Sequence, residues 1–381
     1  MRVPSAPLED WLRERYFLTE IDISSSGVEP YTMTDLKRMT GLADTEIDAM
    51  VFDDGYSLGS APVRELLAAR WGDGDPDKVM TANGSSESIA LVLMALLRPS
   101  DEVVVVRPGY HSLVEIAAAL GATTRTWRID PDQDWQPSID ELAALVNERT
   151  RAIVVNFPQN PTGTSISEAD LARLVDLARS VGAYLLWDAA FADLVYDTAP
   201  LTDVTRLYER GISFGTFSKA FGLPGLRFGW CVGPRDVLDG CVRIKDYTTL
   251  HVAPLIELLA RRVLEHADSF LEPRMKQARG NREIVGQWAD RHQDRISLVL
   301  PAGGVAAFPR IVGLADTHDF SEQLYQRHRT LVVPGGCFQA PRHVRLGFGG
   351  PTDHLVEGLD RFSSALADLA APEHELVSES T

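Results

Sequence analysis

The sequence predicts an α/β protein in which a mainly parallel sheet is sandwiched by helices, with a smaller α+β domain beside it. Three observations predict it. From about residue 78 to 245, short apolar runs alternate with helical patterns, the order that gives parallel strands joined by crossover helices. Capping signals such as Ser138-Ile-Asp-Glu141 and Ser167-Glu-Ala-Asp170 bound the helical stretches. At 381 residues the chain also exceeds a single compact core, so two domains are the natural division. We expect an N-terminal arm over 1–45 that forms part of the small domain, a large domain over 46–250 and a C-terminal small domain over 251–381.

The first strand is expected over 79–81, leading through Asn83-Gly84-Ser85-Ser86 into an amphipathic helix over 89–97. Small residues and hydroxyls there make an anion site, because free backbone N–H groups meet the positive end of the helix dipole. Ordinary capping by Ser85 or Ser86 is the competing reading. The next run, 102–106, leads into Arg107-Pro-Gly-Tyr110-His111. Tyr110 then lies just beyond a strand's carboxyl end, where open α/β sheets bind ligands, and can stack on a cofactor ring or serve as a core tyrosine. A third run, 152–156, precedes Phe-Pro158-Gln-Asn160-Pro161, whose prolines hold the Asn160 amide in place.

The run 184–187 ends on Asp188. An apolar strand seldom ends on a charge without a partner, and this carboxylate can keep a pyridine nitrogen protonated or cap the next turn. The last run, 212–217, breaks into Ser218-Lys219-Ala-Phe-Gly-Leu-Pro-Gly-Leu-Arg227. Desolvation beside a cation favours a neutral amine, which Lys219 needs to hold an aldehyde covalently. Arg227 supplies that charge and can bind a phosphate; a solvated loop lysine is the plain alternative. Together these segments supply what pyridoxal phosphate requires. Beyond them, helices are expected over 254–266 and 273–292, strands over 305–310 and 344–348, and a disordered polar tail over 373–381.

Gly84-Ser85-Ser86, Tyr110, Asn160-Pro-Thr-Gly163, Asp188, Ser218-Lys219 and Arg227 stand in the order of the fold-type I pyridoxal-phosphate enzymes of the aminotransferase class I/II family, which the chain resembles. The resemblance implies the PLP-dependent transferase-like fold, pyridoxal 5'-phosphate as cofactor, and a set of roles. Lys219 holds the aldehyde and moves protons at the substrate Cα. Asp188 pairs with the pyridine nitrogen, Asn160 with the ring hydroxyl, and Tyr110 stacks on the ring. Gly84, Ser85, Ser86, Thr216 and Arg227 bind the phosphate. Val344-Arg345-Leu-Gly-Phe348 resembles the strand whose arginine clamps the substrate α-carboxylate, a task suited to bidentate geometry. A homodimer with its sites at a two-fold interface is also implied. Two departures stand out: Asp188-Ala-Ala-Phe191 lacks the family's tyrosine, and Tyr56 lies too close to Gly59 to be the tyrosine that a neighbouring subunit donates.

Further stretches, including 6–17, Asp22-Ile-Ser-Ser-Ser-Gly-Val28 and Pro108-Gly-Tyr-His-Ser-Leu113, resemble a subgroup of cyclases in that family that serve the pathways to tuberactinomycin and streptothricin antibiotics. The resemblance implies a 3-hydroxy- or 3,4-dihydroxyarginine substrate. Water is eliminated, and the tethered guanidine adds at Cβ to give a capreomycidine-type cyclic amino acid. An ordinary amino-acid aminotransferase using a 2-oxo acid acceptor is the alternative. Ser25, Ser26 and Gly27 are candidates for the substrate carboxylate. Asp193 is the first candidate for the guanidinium, with Asp22 and Glu9 as other acidic candidates. His111 can protonate the leaving hydroxyl, its titration range suiting that role, or cap its loop. His251 is a candidate for a neighbouring subunit's site.

Lys+Arg 37 against Asp+Glu 54 gives a net charge of −17, which repels nucleic acid and argues against it as a partner. Cys231, Cys241 and Cys337 form no Cys-x-x-Cys pair, which suits a reducing compartment and no structural metal. The first residues lack an apolar signal core, and no run approaches the ~18–20 residues that cross a bilayer. A cytoplasmic enzyme acting on a small amino acid, without a membrane partner, is expected. Neither Gly-x-x-x-x-Gly-Lys nor Gly-x-Gly-x-x-Gly after the first strand is present, which excludes the common nucleotide and dinucleotide sites.

Overall fold

Alternate residues of the central strands feed two separate apolar layers, the arrangement that a sheet covered on both faces requires. In the computed structural model, which describes residues 3–369, Val104, Val106, Ile153, Val155, Leu185 and Trp187 pack with Leu171 and Leu174 of the helix Glu168–Val181. Their neighbours Val103, Val105, Ala152, Val154, Leu186, Ile212 and Phe214 face the helices Ser85–Leu96, His111–Ala119 and Arg235–Lys245 instead. The expected tail over 373–381 lies outside the described residues.

The sheet has seven strands in the spatial order Val79–Ala82, Gly229–Val232, Gly211–Thr216, Tyr184–Asp188, Thr150–Asn156, Glu102–Arg107 and Thr123–Arg128. Gly229–Val232 runs antiparallel to both neighbours, and the other pairings are parallel. Thr123–Arg128 gave no apolar run in the sequence because it is an edge strand whose side chains, Trp127 apart, are largely open to water. Carboxyl ends converge on one side. Asn156 and Asp188 end adjacent strands in direct register, and Thr216 ends the next.

Residues 296–347 build small sheets of their own. Val344–Gly347 lies between Ala306–Ala307 and Val333–Pro334, antiparallel to each, with Arg345 opposite Val333. The N-terminal arm joins this region: Ile21–Asp22 pairs in parallel with Thr330–Leu331, and the Trp11 indole donates to Val332 O at 2.8 Å. Arg15 covers Trp11 at 4.1 Å and pairs with Glu322 at 2.9 Å, fixing the helix Pro7–Arg13 over the cleft.

Two expected boundaries move. The run 305–310 divides into Ala306–Ala307 and Arg310–Ile311 because Pro309 between them offers no N–H to a ladder. The helix expected from 273 begins at Ala267 and carries Pro273 inside it; burial of Phe270 and Leu271 ahead of the proline offsets the hydrogen bond that it removes. Among the described residues, no helix is long and apolar enough to cross a membrane.

Leu185 is fully buried at the end of its strand remote from Asp188. Leu185→Ala will cost about 2–5 kcal/mol of stability, read as a lower midpoint of urea unfolding of the cofactor-free protein.

Candidate active site

Where the strands end and the arm closes over them, a cavity of about 520 Å³ opens, and most of the chemistry-bearing residues of the sequence line it. Lys219 follows the strand Gly211–Thr216 and its amine donates to Ser26 Oγ at 2.8 Å. Desolvation, with Arg345 and Arg227 nearby, lowers its pKa from 10.5 to about 8. Asp188, 5% exposed, is moved in the opposite sense to about 6 by the same loss of water, against the Ala190 N–H that donates to Oδ1 at 3.1 Å and the positive Lys219. The Phe191 ring stands 5.9 Å from the Lys219 amine, so this turn brings an aromatic ring without a hydroxyl to the site.

An anion cradle lies at the other end. Gly84 caps the helix Ser85–Leu96 at φ 89° with no side-chain cap, so the first helical amides stay available to a ligand, and neither serine caps them. A Cβ at Gly84 would lie 2.6 Å from Arg227 Nη2, so only glycine lets the guanidinium approach. Arg227 donates to Ser218 Oγ at 3.1 Å, and Ser218 Oγ accepts from Thr216 Oγ1 at 3.1 Å. Ser86 and Tyr110 hydroxyls meet at 3.3 Å, and both residues line the cavity.

Arg345 reaches the cavity from the third side. It is 2% exposed, donates to Ser24 O at 2.9 Å and to Asn160 Oδ1 at 3.3 Å, and its Nε has no partner. Burial brings its pKa down to about 10. Asn160 is held in turn by Asn156, whose Oδ1 accepts from Asn160 N at 2.9 Å while its Nδ2 donates to Asp188 O at 2.8 Å. Asn156 was missed as a site residue, although it ends an apolar run on a polar group just as Asp188 does.

The segment 24–27 is clasped between the lysine and the arginine. A Cβ at Gly347 would lie 1.7 Å from Ser25 O, so the strand of Arg345 can accept this segment only because residue 347 is glycine. Gly347 N donates to Ile23 O at 2.8 Å, which sets Ser25, Ser26 and Gly27 along the cavity wall.

Three candidates are elsewhere. His111 does not line the cavity: its ring packs 4.4 Å from that of Tyr110, Nδ1 is buried without a partner, and burial lowers its pKa, which leaves it poor as a proton donor to a substrate. Asp193 turns away, towards Arg70 and the Trp71 indole, because the turn after Asp188 reverses direction before residue 193. His251 is set against Asp54 at 3.3 Å, outside the cavity wall. Besides Asn156, the sequence gave no warning of Leu8, Leu12, Tyr16 and His354, which the N-terminal and C-terminal helical regions bring to the mouth.

These residues fit pyridoxal phosphate: an uncapped helix end with an arginine for the phosphate, a buried carboxylate for the ring nitrogen, and a desolvated amine for the aldehyde. Below pH 8 the neutral fraction of Lys219 falls about tenfold per pH unit. Capture of the aldehyde by cofactor-free protein, followed by visible absorbance, will therefore speed up from pH 6 and level off above 8; a midpoint near 10.5 would contradict the desolvated amine. Gly347→Ala, which displaces the 24–27 segment but not the cradle, will lower kcat/KM about a hundredfold with the bound cofactor's spectrum retained.

Comparison with known proteins agrees with this geometry. Over 366 residues, 96% of this chain and 94% of that protein, the chain is 47% identical to a capreomycidine synthase of Streptomyces vinaceus. The crystal structure of PLP-dependent cyclase OrfR superposes with a TM-score of 0.92 at 39% identity, covering 97% of this chain and 98% of the other. A PLP-dependent aminotransferase from Streptococcus suis gives a TM-score of 0.93 at 28% identity, covering 98% and 100%. The family model for aminotransferase class I and II matches residues 54–362, and the chain belongs to that family.

Proposed function

We propose that the chain is a pyridoxal phosphate-dependent cyclase: it removes water from a 3-hydroxylated arginine and closes the guanidine onto Cβ, giving a capreomycidine-type amino acid for antibiotic biosynthesis. The observation that carries this reading is the 47% identity to a capreomycidine synthase along nearly the whole chain. The aspartate aminotransferase of Thermotoga maritima, by contrast, is 29% identical over 81% of it.

When bound, the cofactor supplies an electron sink for the pair left at Cα. The chain's own residues do the rest. Arg345 and the backbone of 24–27 hold the α-carboxylate, and Asp188 keeps a negative charge beside the ring nitrogen. The Lys219 amine, steadied by Ser26 Oγ, takes the Cα proton and later returns it to the same carbon. Between those steps the Cβ hydroxyl leaves, the guanidinium gives up the proton that completes the departing water, and the freed guanidine nitrogen of the same molecule bonds to Cβ, at no cost of fixing a second reactant. The arm shelters this sequence from solvent.

A homodimer is part of the proposal. Phe52, 86% exposed, and Tyr247, 92% exposed, stand with Val51, Tyr56 and Leu250 on segments joined by the Asp54–His251 contact. That much exposed apolar surface calls for a partner, and the two-fold pairing of the family supplies one. The free Cys231, Cys241 and Cys337 support a cytoplasmic setting as part of the same proposal.

Incubation with 3-hydroxyarginine, analysed by mass spectrometry, will give a product lighter by one water without transfer of the amino group. Release of a 2-oxo acid with amination of an added acceptor as the main outcome would favour an ordinary aminotransferase.

A further inference from the structure

Glu9 and Asp22 are the charged groups of the cavity wall that the cofactor chemistry does not employ. The wall carries Lys219, Arg227 and Arg345 as cations and Glu9, Asp22, Glu29 and Asp188 as anions, with His354 at the mouth. Lys219, Arg227, Arg345 and Asp188 have tasks in binding cofactor and substrate carboxylate, and Glu29 is paired with Arg274 at 3.0 Å. Among the described residues, Glu9 and Asp22 form no salt bridge. Both come from the arm and line the cavity.

Their supports differ. Asp22 belongs to the strand Ile21–Asp22, locked by its pairing with Thr330–Leu331. Its Oδ1 accepts from Ser24 N at 2.8 Å and Ser24 Oγ at 2.6 Å, which aims the carboxylate and leaves Oδ2 without a donor. Glu9 rides on the helix Pro7–Arg13, anchored by the buried Leu8 and Trp11, and its own side chain is open to the cavity mouth. Asp22 lies within electrostatic reach of Arg345 and His354, and Glu9 of Lys219 and Arg345.

A second, independent feature fixes the orientation of a ligand. Arg345 lines the cavity and is 2% exposed, and its terminal nitrogens meet only the neutral acceptors Ser24 O and Asn160 Oδ1, so its charge is left for an anionic group. With the α-carboxylate there, a side chain that folds back over Cβ ends against the arm. Burial outweighs the Ser24 hydrogen bonds and the more distant Arg345 and raises the pKa of Asp22, a cost that an arriving cation reduces.

We propose that Asp22, backed by Glu9, is the seat of the substrate's guanidinium, Asp22 Oδ2 and the Glu9 carboxylate receiving its N–H groups. The assignment rests on the cyclase reading above and makes the arm the element that selects a planar cationic side chain. Arginine and citrulline, which share length and shape but differ in charge, separate this recognition from turnover because neither carries a Cβ hydroxyl to lose.

Binding of L-arginine and L-citrulline to the holoenzyme, followed by the change in cofactor absorbance, tests it. The wild type will prefer arginine by about tenfold or more, and Asp22→Asn will remove most of that preference by weakening arginine alone. Glu9→Gln, on an exposed position where folding is not at stake, will do the same to a smaller degree. Failure of the wild type to prefer arginine, equal weakening of both ligands, or unchanged arginine binding in both variants overturns the seat. If the preference depends on Asp22 while 3-hydroxyarginine is not dehydrated, the seat stands and the cyclase reading falls. If dehydration proceeds with the same kcat/KM in wild type and both variants, the cyclase reading stands and the seat falls.

Discussion

Loss of water around one amine and one carboxyl governs this site. The same desolvation that brings Lys219 down to about 8 sends Asp188 up to about 6, so each is a reluctant ion in the cofactor-free protein. Their mutual attraction relieves only part of the cost, because Arg345 and Arg227 also bear on the lysine. A ligand that presents an aldehyde to one group and a basic ring nitrogen to the other resolves both at once. Affinity for the cofactor and readiness of the amine thus share one physical origin.

Geometry adds what electrostatics cannot. Lys219 and Arg345 belong to distant parts of the chain, and the segment 24–27 is the piece that touches both. Backbone contact makes the join stiff: Gly347 admits Ser25 O where no side chain would fit, and Glu29 N donates to Gly349 O at 2.7 Å on the far side. Side chains can swing, but a main chain wedged in this way holds the reacting groups in register. The arm is therefore part of the machinery in a structural sense, although it carries none of the family's cofactor residues.

Much of this was legible in the sequence because the sheet writes its chemistry in chain order. Each strand that ends at the site does so by switching from apolar residues to one polar group, and Asp188 and the strand before Lys219 could be read that way. The same rule, applied evenly, would have found Asn156. Proximity in sequence served less well: His111 adjoins Tyr110 and Asp193 lies five residues after Asp188, yet neither lines the cavity. Contacts between distant segments, such as Ser26 with Lys219 and Asn160 with Arg345, leave no local trace at all. Pro273 misled for the converse reason, since tertiary burial outweighed a local breaker.

The place of the antiparallel strand has a consequence for how the protein is made. Val79–Ala82 borders only Gly229–Val232, so the first strand of the seven-stranded sheet to leave the ribosome finds its neighbour only after the last strand of that sheet has been translated. The two halves of the phosphate cradle ride on those same segments, Gly84 to Ser86 after the one and Arg227 just before the other. A nascent chain thus carries the early half of the cradle alone until the later segment has been made. Acquisition of B6 becomes a closing event of biogenesis, reserved for chains whose sheet is already complete.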